Sequence, residues 1–435
     1  MMKKCISVLI LSVLAVFVVS LSSCSKNDDD DFVEGYSGKR ENAQPYDFRV
    51  NGVFYKILPK GKIVVVTGGD TYYEGDVTIP ATVEYEGDTY NVEEIADDAF
   101  HDCANMRSLS IANSVNKIGY QAFYYCQGLR KLVLPDDLEE LPAGMCNGCT
   151  RLTDVTLPSR LKMISPNAFA DCAALISVPL PESLEVIGDF AFNNCSGLTK
   201  VVFPQHVREI GKGAFHGCAN LVAISLPANL SKVANSCFAS CSKLSEVTLP
   251  DGIESIGTDA FANCESLTSL TIPNSVTFID SRAFAGSAIT SACLPSNVRR
   301  LGGGIFSGCS QLTSITSWKY WAITDQTFRD CTAFVEINVP EGVQVLESQA
   351  FDGCVNVQTV RLPKTLHRVE FWAFKDFQNL KDVYCYSTEV PVMGTGPVFP
   401  GSYPEYATLH VPASAIEAYR ERAPWSDFGN IVALP

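Results

Sequence analysis

The sequence predicts an α/β solenoid of about thirteen stacked coils, each a short strand, a turn and a short helical or 3₁₀ arc. Three observations predict it. A phenylalanine recurs every 23 residues, at Phe100, Phe123, Phe169, Phe192, Phe215, Phe238, Phe261, Phe284, Phe306, Phe328, Phe351 and Phe374. Cys146 fills the one gap, and two steps of 22 flank Phe306. Five residues before each of these positions stands an Ile, Leu or Val, unbroken from Ile95 to Val369. Three residues after most of them stands a cysteine. A fixed period in this range marks a stack of supersecondary units that bury one continuous core.

Within one period each element has a reason. Leu152 to Leu157 ends in an alternating pattern, as a half-buried strand does. The proline that follows, Pro158 in this copy, has no N–H to give and stops the ladder. Ala-Phe-x-x-Cys spaces its apolar residues by three, which suits a single 3₁₀ turn. Strands of successive coils then pair in parallel about 4.8 Å apart.

The pattern resembles the BspA-like branch of the leucine-rich-repeat families, whose coil is right-handed. It covers about two-thirds of the chain, from 93 to 385. The tail from Ala407 to Phe428 resembles that family's closing segment, with a terminal helix expected over Ser414–Arg422. The resemblance implies a bacterial surface or secreted protein that binds or adheres to host or neighbouring-cell proteins. It implies no catalytic residues.

The flanks complete the organisation. Lys3 and Lys4 precede an apolar run from Ile6 to Leu21, a leader of secretory type over 1–23. Leu21-Ser22-Ser23-Cys24 resembles a bacterial lipobox with Cys24 as the lipidated residue, against the plainer reading of an ordinary signal peptide. An acidic tether follows over 24–44, with Asp28 to Asp31 at its heart, a charged linker that stays extended. It resembles the surface-export signal of lipoproteins in some Gram-negative anaerobes. The expected location is therefore the outer membrane, lipid-anchored and facing outward, with a periplasm-facing anchor as the alternative. Residues 45–92 change pattern. Phe48-Arg49-Val50, Asn51-Gly52 and Val53-Phe54-Tyr55 form a strand–turn–strand signal, and the segment is expected to be a β cap on the first coil. Residues 386–435 are expected to cap the other end.

Composition narrows the function. The net charge of −15 disfavours nucleic acid as a partner. Seventeen cysteines in an exported chain suggest disulfides. Eleven of them share one repeat column, however, and Ser287 and Phe377 replace it in two coils, so a packed column of thiols is expected. Cys146-x-x-Cys149 has the spacing of a redox or metal site, but Cys149 is the column residue and Cys146 the missing phenylalanine. His101, His206, His216, His367 and His410 are scattered over the coils. No metal site, cofactor or catalytic residue is expected.

A partner is expected on the strand face, at positions eight and ten after each phenylalanine. These are mostly Ser, Thr and charged residues. One stretch departs from the pattern: Ser317-Trp318-Lys319-Tyr320-Trp321, with Trp318 where proline is expected. Two roles stand open for it. It fills core space left by the short coils, or Trp318, Lys319, Tyr320 and Trp321 form a partner-binding cluster. The ligand is then an extracellular protein or, alternatively, a glycan captured by a nutrient-uptake system.

Overall fold

The computed structural model describes residues 39–435 apart from Asn42 and Lys60. The leader over 1–23, Cys24 and most of the 24–44 tether lie outside the described residues. Beyond an N-terminal segment that includes antiparallel pairs, the chain winds as a solenoid with two parallel ladders. One ladder follows the aliphatic column: Glu140–Leu141, Met163–Ile164, Val186–Ile187 and Glu209–Ile210 pair in that order. The other forms the strand face, beginning Met106–Ile111, Lys131–Val133 and Asp154–Thr156. Register is fixed because a slip of one residue would turn every buried side chain outward.

The N-terminal segment holds six strands: β1 (Phe48–Val50), β2 (Val53–Ile57), β3 (Ile63–Thr67), β4 (Gly75–Ile79), β5 (Thr82–Tyr85) and β6 (Asp88–Ile95). β1 and β2 form the Asn51-Gly52 hairpin, with both turn residues at positive φ (48° and 83°). β6 already pairs in parallel with Lys117–Ile118, and β4 with Met106–Ile111. At the other end the ladder runs past 385, through Thr408–Val411 to Asn430–Ala433. The segment expected only to close the stack therefore supplies two more strands to this ladder and one, Val392–Met393, to the other. The terminal helix is shorter than expected, α1 at Ile416–Arg420 after a 3₁₀ turn at Ala413–Ala415.

The arcs differ from expectation. Among the described residues no helix or 3₁₀ turn precedes Pro404. The reason is an alternation in the backbone. Phe100 N–H donates to Ala122 O in the next coil (2.7 Å), while Cys103 N–H donates back to Phe100 O in its own coil (3.1 Å). Asp98 and Asp102 likewise reach the next coil, and His101 turns inward. Every second residue thus bonds across coils, which a helix cannot do. The positions two before and two after the phenylalanine take positive φ in all thirteen coils, from Asp98 and Asp102 to Trp372 and Asp376. Gly, Asn and Asp recur there because they tolerate that region; another residue costs about 1 kcal/mol or more.

The core is a set of continuous columns. From Phe169 to Phe399 the rings stack at 5.2–6.2 Å between centroids. Phe399 extends the column by one ring beyond the sequence pattern. Tyr73 lies against Phe100 at one end, and Trp425 and Phe428 against Phe399 at the other. Burying each ring fully contributes about 1.5–3 kcal/mol. At the gap, Met145 replaces the usual alanine beside Cys146, and both are buried. A long and a short side chain have exchanged places, so volume is kept.

The cysteines are free thiols, fourteen buried and Cys293 exposed, among the described residues. Their column has a chemical reason. From Cys126 onward each column thiol donates to the carbonyl of the phenylalanine-column residue one coil earlier, as Cys126 Sγ does to Phe100 O (2.9 Å) and Cys218 Sγ to Phe192 O (3.3 Å). That carbonyl already accepts a backbone N–H in its own coil, so the thiol meets its second lone pair. Ser402 does the same for Phe374 O. Burial pushes the thiols up, Cys309 to about 11 and Cys172, Cys195 and Cys331 upward as well. They are therefore protonated and poorly nucleophilic at neutral pH.

Candidate functional site

The outward strand positions are exposed as expected: Asp154 and Thr156, Glu246 and Thr248, Glu336 and Asn338 all face solvent. Ionic pairs such as Lys162–Glu139 (2.9 Å) and Arg208–Glu185 (3.2 Å) link neighbouring coils in exposed positions, a solvated surface of little energetic weight. No group of three His, Cys, Asp or Glu side chains suited to a metal ion occurs among the described residues.

The tryptophan stretch splits between core and surface. Trp318 is 4% exposed, donates Nε1–H to Ala322 O (3.0 Å), and packs beside Phe328 (5.5 Å). Tyr320 meets Trp318 edge-on, and its hydroxyl donates to Pro295 O; burial pushes that phenol up to about 12. Trp318 belongs to the core and Tyr320 packs partly buried against it. Trp321 is 62% exposed, and Lys319 is exposed beside it. Of the four residues Trp318 is withdrawn from the surface, Tyr320 is half-buried, and Lys319 and Trp321 remain on it.

The strand face gathers a different group near its C-terminal end. Arg361, Tyr384 and His410 are direct neighbours in the ladder. The Arg361 guanidinium lies 4.2 Å above the Tyr384 ring, and the His410 ring stacks on it at 4.2 Å and 7°. Arg361 Nε donates to Glu336 (2.7 Å) and Nη1 to Tyr386 Oη (3.3 Å). The Glu336 hydrogen bond, then that to Tyr386, pushes the guanidinium pKa further up. His410 Nε2 lies 2.9 Å from Asp382 Oδ1. Arg361 and His410 cover the two faces of the Tyr384 ring, so the row presents edges and hydrogen-bonding groups rather than an open ring face.

Sequence reasoning placed Arg361 and Tyr384 on this face but missed the row. His410 was hidden in the closing segment. The signal was present: Leu409-His410-Val411-Pro412 repeats the strand pattern of Val155-Thr156-Leu157-Pro158.

Comparison with known proteins agrees with this architecture. A family model described as the BspA type leucine rich repeat region (6 copies) matches residues 89–199, 162–264, 232–322 and 319–395. A leucine-rich repeat protein from Bacteroides ovatus ATCC 8483 is 25% identical over 90% of this chain and 100% of its own, with a TM-score of 0.76. A leucine rich repeat protein of T. pallidum is 30% identical over 51% of this chain and 90% of its own, with a TM-score of 0.36. A leucine rich cell surface protein from Faecalibacterium prausnitzii A2-165 is 22% identical over 90% and 96%, with a TM-score of 0.39. No curated protein matches the chain.

Proposed function

Because this chain belongs to the BspA-type leucine-rich-repeat family, we propose that it is a lipid-anchored outer-membrane protein whose strand face binds a protein of a host or neighbouring cell. Proteins of this repeat type are often surface-associated, generally act as scaffolds rather than enzymes, and generally bind proteins. Among the described residues no helix is long and apolar enough to cross a membrane. Attachment is assigned to Cys24, and the acidic tether carries the repeats away from the bilayer.

The observation that carries the binding reading is the Arg361–Tyr384–His410 row. Arginine and tyrosine dominate protein hot spots, and here they interrupt a face otherwise rich in hydroxyls and charges. Trp321 and Lys319 are a second, smaller exposed element of the same proposal. The test is an array of extracellular proteins beside a glycan array. A protein ligand whose affinity falls at least about fivefold in Arg361→Ala with Tyr384→Ala, at unchanged melting temperature, supports the reading. Binding to glycans alone refutes it in favour of nutrient capture. Attachment is read separately: a Cys24→Ala chain should leave the membrane fraction, and protease should shave the native chain from intact cells.

A further inference from the structure

The strand-face ladder forms no strand at three coils, the adjacent 177–180 and 200–203 and, further on, 269–272. The first opening is the larger, about 320 Å³ against about 160 Å³. Pro179 occupies an outward strand position and has no N–H to donate toward the preceding coil at Asp154–Thr156. Residues 177–180 join no ladder, and on the far side only Lys200 bridges onward, to Ala223. The strand-face backbone bond that remains between these two coils runs from Thr199 N–H to Ile176 O (3.0 Å).

The opening is lined by Val178, Pro179, Leu180, Val202 and Pro204. Around it the surface is unusually apolar: Ile176 is 59% exposed, Val202 65% and Val222 46%. Elsewhere on this face those positions carry mostly hydroxyl or charged groups. Its size lies at the lower end of the range for ligand pockets. Lys200 and Glu182 also line it, both exposed. Among the described residues neither forms an ion pair within the chain, whereas Arg208 and Glu185 nearby pair with each other.

We propose that this opening is a groove for an extended segment of a partner protein, apolar in its middle and carrying an acid that meets Lys200 and a base that meets Glu182. Three features select this occupant. The opposite charges at the groove ask for a segment charged oppositely at its two ends. The interrupted ladder leaves backbone groups that a peptide backbone can meet and a hydrocarbon chain cannot. A second copy of this chain is disfavoured because each copy carries a net charge of −15. The proposal rests on the protein-binding reading above but uses other residues, eight coils from the Arg361 row, roughly 40 Å along the ladder.

The test uses two capped hexapeptides, Glu-Val-Thr-Leu-Val-Lys and the same peptide with its terminal charges exchanged. Each is titrated into the intact chain by fluorescence anisotropy. One of the two should bind better, because the groove has a polarity. Lys200→Glu combined with Glu182→Lys should invert that preference, a result that loss of folding cannot mimic. Val202→Lys should weaken the preferred peptide about tenfold or more at unchanged melting temperature. The Arg361→Ala, Tyr384→Ala chain should bind both peptides as the native chain does, so failure of the row and failure of the groove are told apart. Binding of neither peptide, or a preference that survives the charge exchange, overturns the proposal.

Discussion

Two coils break the repeat, and they break it in opposite ways. Around Phe306 the coils are one residue short, and Trp318 stands in place of proline. The chain answers by filling: Trp318 is buried against Phe328, and the strand Ser314–Ser317 still pairs with Ser291–Cys293 through a shifted register at Ala292/Cys293. Around Phe169 the spacing is regular, yet no strand forms at 177–180 or 200–203 and Ile176 and Val202 stand in solvent. A departure in period strains the core and has to be repaired, because interiors are close-packed. A departure in a single outward residue leaves the core alone and alters only the surface. The conspicuous irregularity thus takes its tryptophan into the core, and the inconspicuous one shows only on the surface.

The widest test of that contrast asks whether both coils share one core. Cys172 and Cys195 lie under the open coil, Cys309 and Cys331 under the repaired one, all with burial-raised pKa values. Unfolding returns each thiol to its ordinary value near 9. Above that pH the unfolded chain holds fewer protons than the folded one, so stability falls as pH rises. The loss should be absent below pH 9, and for Cys309 it should span pH 9 to 11. Each thiol contributes about 1.4 kcal/mol per pH unit within its window. Denaturant melts at pH 7, 9 and 10 should show a steep alkaline fall; a flat profile would contradict the thiol column.

Next in size, Trp318→Ala should cost about 3–5 kcal/mol, measured as a drop in the denaturation midpoint. An unchanged midpoint would return Trp318 to the surface. Removing one column thiol, as in Cys218→Ala, should cost about 1 kcal/mol or somewhat more, from the lost hydrogen bond to Phe192 O and the lost sulfur volume. Pro179→Thr should change stability by about 1 kcal/mol or less. It should slow amide exchange over 177–180, where the restored N–H can rejoin the ladder at Asp154–Thr156. Smallest of all, Trp321→Ala should move stability by no more than about 0.5 kcal/mol.

Much of the fold was legible because each column repeats one physical requirement thirteen times. The Asn51-Gly52 hairpin, the buried thiols and the outward strand positions were all readable locally. The arcs were misread as helical because spacing by three fits a 3₁₀ turn equally well. What the spacing hides is that Phe100 and its equivalents spend their N–H on the next coil. The tail was undervalued because Phe399 follows Phe374 by 25 residues, outside the period, although its ring continues the stack.

The sequence by itself determined which residues are inside. A fixed period of 23 carries each apolar column to the same face of every coil, and burial follows from that alone. Only the tertiary structure decided which outside residues meet. Arg361, Tyr384 and His410 are 23 and 26 residues apart, and Pro179 and Val202 lie 23 apart. Their contacts, or the lack of them, depend on how successive coils pair. Pairing between coils is a property of the assembled ladder, so the row and the groove became visible only in the folded stack.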